Sequence, residues 1–245
     1  MGFRRIIIVA AAVLLLISLS GCFVPGTTTP TVGNGQMTDG AFSYDGSITK
    51  IIVRGVPATV NISPEHSSEL TYTIDDNLQD LIEITYQNSV LRIETRNNAS
   101  ITSNRITFEI GADALEEIVV DGAATISGSG TFSVASFGLE LNGAGSVELA
   151  LNAQRVSAEI NGAGEISLSG TAEELHVTGA GAVDINTRNL IAQHATISLE
   201  GVGSAQVHAE QTLDASIEGL GSITYWGDPE LTSSAAGLAS VRRGG

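Results

Sequence analysis

The residues best suited to chemistry are acidic side chains that recur at regular spacing in the second half of the chain. Glu140 and Glu159 lie 19 residues apart, and Glu148 and Asp184 form a second series behind them. Grouped carboxylates supply the general acid and base of glycoside hydrolysis. Stacked like charges also raise one another's pKa or recruit a cation. The candidate ligand or cation face therefore comprises Glu140, Glu159, Glu148 and Asp184.

Other residue types lack the arrangement that catalysis or metal binding requires. His176, His194 and His208 fall at different positions of the repeat described below, and no Cys/His cluster has the spacing of a zinc site. No Arg or Lys joins the acidic face, and its row continues into His176 and Ser198. We therefore predict a solvated acidic stripe rather than an active site. The expected protein is not an enzyme and has no metal and no cofactor.

These side chains are carried by a repeat built around a glycine. The first glycines of its units are Gly122, Gly143, Gly162, Gly179, Gly201, Gly219 and Gly237, and the five middle units have a second glycine two residues later. Apolar residues lie two positions before and four positions after the first glycine, with mostly polar residues between them. This alternation predicts a strand, a small-residue turn and a second strand in each unit. Units of 17–22 residues cannot bury an apolar face alone, so the sequence predicts an all-β solenoid of stacked coils.

The glycine pairs do not fit two ligand-binding motifs that resemble them. A phosphate-binding loop leads from a strand into a helix, whereas each pair here leads into another alternating strand. Calcium-binding nonapeptide repeats need an Asp after their glycines, and residues such as Thr125, Ser146 and Ala182 occupy that place. Tight corners between strands explain the glycines better.

Composition limits the classes of partner. The formal net charge is −16 and aromatic residues make up 4% of the chain. Because binding to phosphates requires Lys and Arg, we expect no nucleic-acid partner. The only tryptophan, Trp226, either covers an end of the solenoid or offers a stacking platform for a sugar.

The N-terminus resembles a bacterial lipoprotein signal peptide. Arg4 and Arg5 precede an apolar run, and Leu19-Ser20-Gly21-Cys22 matches the lipobox. The run is shorter than a membrane-spanning helix needs. The resemblance implies lipidation of Cys22, cleavage before it, and export to a membrane. Phe23 rather than Asp after the cysteine implies the outer membrane if the host is Gram-negative.

Four segments follow from these patterns. Residues 1–21 are the predicted signal peptide, and residues 22–41, rich in Thr, Pro and Gly, are a flexible tether. Residues 42–110 alternate as strands without the glycine period, so they are either divergent N-terminal coils or a β cap. Residues 111–245 carry the repeat.

Three sets of segments share a pattern with a known family: Ile48-Thr49-Lys50-Ile51-Ile52-Val53-Arg54-Gly55, Asn88-Ser89-Val90-Leu91-Arg92-Ile93, and the succession from Leu141-Asn142-Gly143-Ala144-Gly145 through Ile160-Asn161-Gly162-Ala163-Gly164 to Thr178-Gly179-Ala180-Gly181. In these segments the chain resembles the family called the putative autotransporter adhesin head, or GIN, domain. It implies a right-handed parallel β-helix on the cell envelope and brings no catalytic residues.

Together these features predict an envelope lipoprotein that acts as a non-catalytic adhesion, interaction or scaffold module. Its partners would be the membrane, through lipid on Cys22, and a glycan or an envelope protein. The alternative is a carbohydrate-active β-helix enzyme, a lyase or hydrolase, that uses the acidic face.

Overall fold

A computed structural model describes residues 29–245, and most of them are in β-strands. The strands are β1 (Thr31–Val32), β2 (Met37–Ser43), β3 (Lys50–Arg54), β4 (Ala58–Ser63), β5 (Glu69–Asp75), β6 (Ile82–Gln87), β7 (Val90–Thr95), β8 (Ile101–Thr102), β9 (Ile106–Gly111), β10 (Glu117–Trp226) and β11 (Glu230–Arg243). Two short 3-10 turns, Asp76–Leu81 and Arg96–Asn98, are the helical segments of this part of the chain. The predicted all-β class is confirmed.

Strand β10 contains several repeat units in succession, and each unit lies beside the one before it. The Asn161 side-chain amide donates to that of Asn142, 19 residues earlier, at 3.1 Å, and the Ser216 hydroxyl donates to Ser198, 18 residues earlier, at 3.0 Å. The last unit, β11, pairs in parallel with β10, with Gly237 beside Gly219. Residues one repeat apart are therefore side-by-side neighbours.

The contacts of the glycines correct one step of the predicted register. A methyl group added at Gly181 would overlap the carbonyl oxygen of Gly162, and one added at Gly201 would overlap that of Gly181. Gly179 instead faces the side chains of Val183 and Leu199. The fourth unit was therefore aligned wrongly by two residues, because Gly179-Ala180-Gly181 offers two equivalent choices by pattern alone.

With that correction the glycines form one column, which we call the glycine column. It contains Gly122, Gly143, Gly162, Gly181, Gly201, Gly219 and Gly237, spaced by 18 to 21 residues. Each has a positive φ, for example +131° at Gly143 and +117° at Gly181. A side chain in this column would be strained, and from Gly143 onward it would also overlap the backbone of the neighbouring unit.

Strands of the first part of the chain pair with β10 and extend its sheet. Strand β3 lies between β10 and β7, and β4 lies between β10 and β9, all in parallel. Strands β2, β5 and β6 are antiparallel to their neighbours and lie toward the margins of the sheet. One apolar core runs from Tyr44 to Ile223 through both parts. Parallel layers and an antiparallel margin thus occur together within residues 42–110.

The described part of the predicted tether is structured rather than free. Strand β2 pairs with β5 along its whole length, and β1 pairs with β8. Between them, the backbone N–H of Gly35 donates to the buried carboxylate of Asp75 at 2.7 Å. The prediction of an unstructured segment up to residue 41 is therefore wrong from Thr31 onward, because tertiary hydrogen bonds order a stretch that has no apolar period. The predicted signal peptide and Cys22 lie outside the described residues.

Candidate functional site

The glycine column fixes a row of outward-facing side chains, one residue before each glycine. Arg54, Asp121, Asn142 and Asn161 succeed one another in this row, and Glu94 lies beside Arg54 in β7. We call these five residues, together with Glu140 and Glu159, the polar row. Strands in a sheet are about 4.8 Å apart, so consecutive members are close enough to hydrogen-bond.

The polar row begins with an ion-paired arginine. The Arg54 guanidinium lies 3.0 Å from a Glu94 oxygen on one side and 2.8 Å from an Asp121 oxygen on the other. Burial tends to raise the pKa of the Asp121 carboxyl, but the hydrogen bonds from Asn142 and Arg54 and the arginine charge outweigh it. The resulting pKa lies below the ordinary value, so Asp121 is ionised at neutral pH.

The two asparagines carry the hydrogen bonding onward to the predicted acidic residues. The Asn142 amide donates to Asp121 at 3.1 Å and to Glu140 at 2.5 Å. The Asn161 amide donates to Glu159 at 2.9 Å and to the carbonyl oxygen of Asn142. Both hydrogens of each amide are thereby used. Glu140 and Glu159 are acceptors in a fixed network.

The structure does not bring all four predicted acidic residues together. Glu140 and Glu159 share the polar row, as expected. Glu148 is exposed and follows the glycine column. Because the register of the fourth unit is corrected by two residues, Asp184 lies two positions away from the row of Glu148. The Asp184 carboxylate accepts a hydrogen bond from Ser204 at 2.8 Å. Within residues 29–245 no three His, Cys, Asp or Glu side chains are grouped so as to hold a metal ion.

Arg54 and its ion-pair partner Glu94 are members of this site that sequence reasoning missed. The segment of Arg54, Ile51-Ile52-Val53-Arg54-Gly55, has the same pattern as Ile118-Val119-Val120-Asp121-Gly122. The backbone N–H of Gly55 donates to the Asp121 carbonyl at 2.9 Å, which extends the glycine column by one layer. Comparing these half-units, rather than looking for paired glycines, would have placed Arg54 beside Asp121.

The histidines occupy separate places on the surface. His66 lies 3.3 Å from Asp113, His194 lies 2.8 Å from the Thr212 hydroxyl, and His208 lies 2.9 Å from Glu210. Each contact is local to its own part of the surface. These three histidines therefore do not share one row of the repeat.

Trp226 packs against its own chain. The Arg188 guanidinium lies 4.3 Å from the centre of the indole ring, a cation–π arrangement. Gly244 is close enough to the Nε1 side of the ring that a methyl group there would overlap it. The indole is therefore covered by Arg188 and by Gly244.

The residues that carry the fold match a known family. The model of the family described as "Putative auto-transporter adhesin, head GIN domain" matches residues 49–229. The chain belongs to this family. The expected resemblance is thus confirmed over the layered strands and nearly all of the repeat. No curated protein matches the chain.

Solved structures share the fold. A putative adhesin from Bacteroides fragilis is similar with a TM-score of 0.77 at 21% identity, covering 86% of this chain and 99% of that one. A putative adhesin from Parabacteroides merdae gives a TM-score of 0.68 at 22% identity, covering 88% and 99%. A putative lipid binding protein from Parabacteroides distasonis gives 0.63 at 21% identity, covering 88% and 100%. At these identities the likeness establishes the fold alone.

Among residues 29–245 there is no helix with the length and hydrophobicity needed to cross a bilayer.

Proposed function

We propose that this GIN-domain protein is a lipid-anchored envelope protein that acts as a non-catalytic adhesion or scaffold module. In this proposal its strands follow a right-handed parallel β-helix, and a glycan or an envelope protein binds along the outer face. The observation that carries the proposal is the set of polar side chains, half-buried or exposed, held in register from unit to unit.

Three positions before each glycine of the column from Gly143 onward, one such row runs along the repeat. It consists of Glu140, Glu159, Thr178, Ser198, Ser216 and Ser234. Neighbours within it and beside it are already hydrogen-bonded, as between Ser198 and Ser216 or Asn161 and Glu159. Side chains fixed before binding lose little further conformational entropy when a partner docks. A regular row of hydroxyl, amide and carboxylate groups suits an extended, repeating partner.

Anchoring belongs to the same proposal. The lipobox at Cys22 and the family's description as an adhesin head both support an exported protein held at a membrane. Two or more acyl chains give stable membrane attachment, whereas a single chain is marginal. The formal charge of −16 disfavours nucleic acid as the partner.

The alternative of a carbohydrate-active enzyme would use Glu140 and Glu159 as acid and base. An acid catalyst needs a carboxyl that is free to give up a proton at the scissile oxygen. Both side chains instead accept hydrogen bonds from the asparagine beside them. That arrangement favours a binding face over a reacting one.

The first test is binding to an array of envelope and host glycans, with and without calcium, using the full chain in detergent. We expect saturable binding to a subset of extended glycans. A requirement for calcium would point to the carboxylates of the polar row. A blank array would contradict the glycan part of the proposal, and crosslinking in cells would then identify a protein partner.

A double variant, Glu140→Gln with Glu159→Gln, tests where the partner binds. We expect a loss of glycan binding of about tenfold or more, because two charged acceptors are removed from the row. Glu148→Gln, an exposed carboxylate outside the row, is the matched control and should bind normally. Turnover of a bound glycan that the double variant abolishes would instead establish the enzyme alternative.

A further inference from the structure

The last strand presents an unpaired edge. Strand β11 pairs on one side with Thr212–Tyr225 of β10, and no strand among residues 29–245 pairs with its other side. Along that outer edge alternate backbone N–H and C=O groups lack a partner strand. Such an edge is a ready template for pairing with another chain.

This edge lacks the features that usually protect exposed strands. From Leu231 to Val241 the sequence contains no charged residue and no proline. The strands at the margins of the other part of the sheet differ, since β2 carries Asp39 and β6 carries Glu83. Charges on edge strands oppose edge-to-edge association. The unprotected edge is therefore specific to β11.

The apolar surface next to this edge is also exposed. Leu238 is 81% exposed, and Leu220 and Val202 precede it in the same row at 48% and 55%. Leu231, which continues the inward-facing row of the buried Leu213, is 38% exposed. Large apolar side chains grouped beside an open edge indicate a surface that another chain covers.

The charges at the two ends of β11 are complementary to those of a second, antiparallel copy of the same strand. Glu230 lies at the start of the strand and Arg242 near its end, with Gly237, at positive φ, near its middle. We propose that β11 pairs antiparallel with β11 of a second copy, about a two-fold axis at Gly237. Arg242 then lies diagonal to the partner's Glu230, and the same contact occurs twice by symmetry.

The side chains of the strand suit this register. Gly237 faces the partner's Gly237, and Ser234 faces the partner's Ser240. Leu238 faces the partner's Ala236, so a large residue meets a small one on each side of the axis. Strand β11 carries one acidic and two basic residues in a chain of net charge −16, so repulsion between copies is least at this end.

Two single-cysteine variants test the pairing directly. Ser234→Cys and Ser240→Cys are each made in the full chain carrying Cys22→Ala, which removes the only native cysteine. After mild oxidation in detergent, a mixture of the two variants should give a disulfide-linked dimer, because residues 234 and 240 of different copies face each other. Each variant alone should remain largely uncrosslinked. Equal crosslinking of a single variant by itself, or none in the mixture, would overturn the proposal.

Charge substitutions at the same two exposed positions give an independent test. Ser234→Glu with Ser240→Glu sets like charges against each other at two places, and light scattering should then report a monomer. Ser234→Glu with Ser240→Lys pairs opposite charges and should restore the dimer. Unchanged circular dichroism will verify that both variants fold. A wild-type monomer at all concentrations, or a dimer that survives the Glu/Glu change, would refute the interface.

Discussion

At the scale of single residues, the segment before β2 is held by one carboxylate. Asp75 is buried, and its two oxygens accept hydrogen bonds from the Ser103 hydroxyl at 2.6 Å and from the backbone of Gly35. The Ser103 bond, with the Gly35 bond and the charge of Arg105, lowers the pKa of Asp75 although burial opposes the shift. Nothing in the sequence around Asp75 shows this role, because its partners lie 28 and 40 residues away.

This depressed pKa gives a prediction about pH. Because the folded pKa lies below the unfolded value of about 3.9, the carboxylate stabilises the fold above that value and loses its contribution as pH falls through the folded pKa. Asp75→Asn should therefore lower the free energy of unfolding by about 1.5–3 kcal/mol at pH 7, and by progressively less below about pH 4. Urea unfolding followed by circular dichroism across this pH range measures both effects.

The matched control for this prediction is Asp39→Asn. Asp39 also accepts a hydroxyl hydrogen bond, from Thr73 at 2.7 Å, but it is exposed. Its replacement should change stability by less than about 1 kcal/mol. If the two variants lost the same stability, or if the Asp75 effect did not vary with pH, the assigned role of Asp75 would be wrong.

At the scale of elements, alternation predicted the strands well and their register less well. Residues 42–110 were expected to alternate as strands, and β3 to β8 lie there, with β9 ending at Gly111. Strand β2, by contrast, was missed, since its sequence Met-Thr-Asp-Gly-Ala-Phe-Ser has no strong apolar period and forms by pairing with β5. Local pattern thus determines strands that face the core, whereas pairing at the margin depends on distant residues.

The register of the fourth unit can be tested with two alanine substitutions. Gly181 has φ +117° and its added methyl group would overlap the backbone of the neighbouring unit, so Gly181→Ala should cost about 2–4 kcal/mol. Gly179 faces side chains and occupies the inward position where Leu141 and Ile160 lie in other units. Gly179→Ala should therefore change stability by about 1 kcal/mol or less.

Thermal unfolding of the two glycine variants, side by side, distinguishes the alternatives. If Gly179 lay in the glycine column instead of Gly181, Gly179→Ala would be the more destabilising of the two substitutions. Equal losses would mean that neither glycine is the one that meets its neighbour's backbone.

In the candidate site too, residues were placed correctly where the register of the repeat was right and wrongly where it was not. Glu140 and Glu159 were predicted to share a row and do so, because both precede correctly aligned glycines. Asp184 was placed wrongly through the error at Gly179. The 3.1 Å hydrogen bond between Asn142 and Asn161 links the row from one unit to the next. Arg54 was missed because its half-unit lacks the second glycine.

At the scale of the whole molecule, one core connects the N-terminal strands with the repeat, from Tyr44 to Ile223. Sequence alone did not indicate which strands of residues 42–110 would pair in parallel with the first repeat unit of β10, as β3 and β4 do, and which would lie antiparallel at the margins. The choice depends on which distant strands meet, and composition does not encode this.

Membrane attachment is a prediction at this same scale. Cys22→Ala should abolish incorporation of labelled fatty acid and leave the signal segment uncleaved, because the thiol is the acceptor of the lipid. Metabolic labelling followed by fractionation measures both. Ser20→Ala, a change within the lipobox that leaves the thiol, is the control. Acyl label that persisted in Cys22→Ala would exclude the proposed anchor.

The unequal repeat lengths reveal where this architecture can change. A methyl group at Gly170 would meet Leu151, and one at Gly227 would meet Ala209, so register is kept eight residues past the glycine column. The differences between units of 18 and 21 residues therefore fall in one turn, residues 131–135 in the longest unit and 228–229 in the last. Insertions there leave every stacked contact intact. We expect evolution to add binding loops at this turn, so that relatives can acquire new specificities on an unaltered frame.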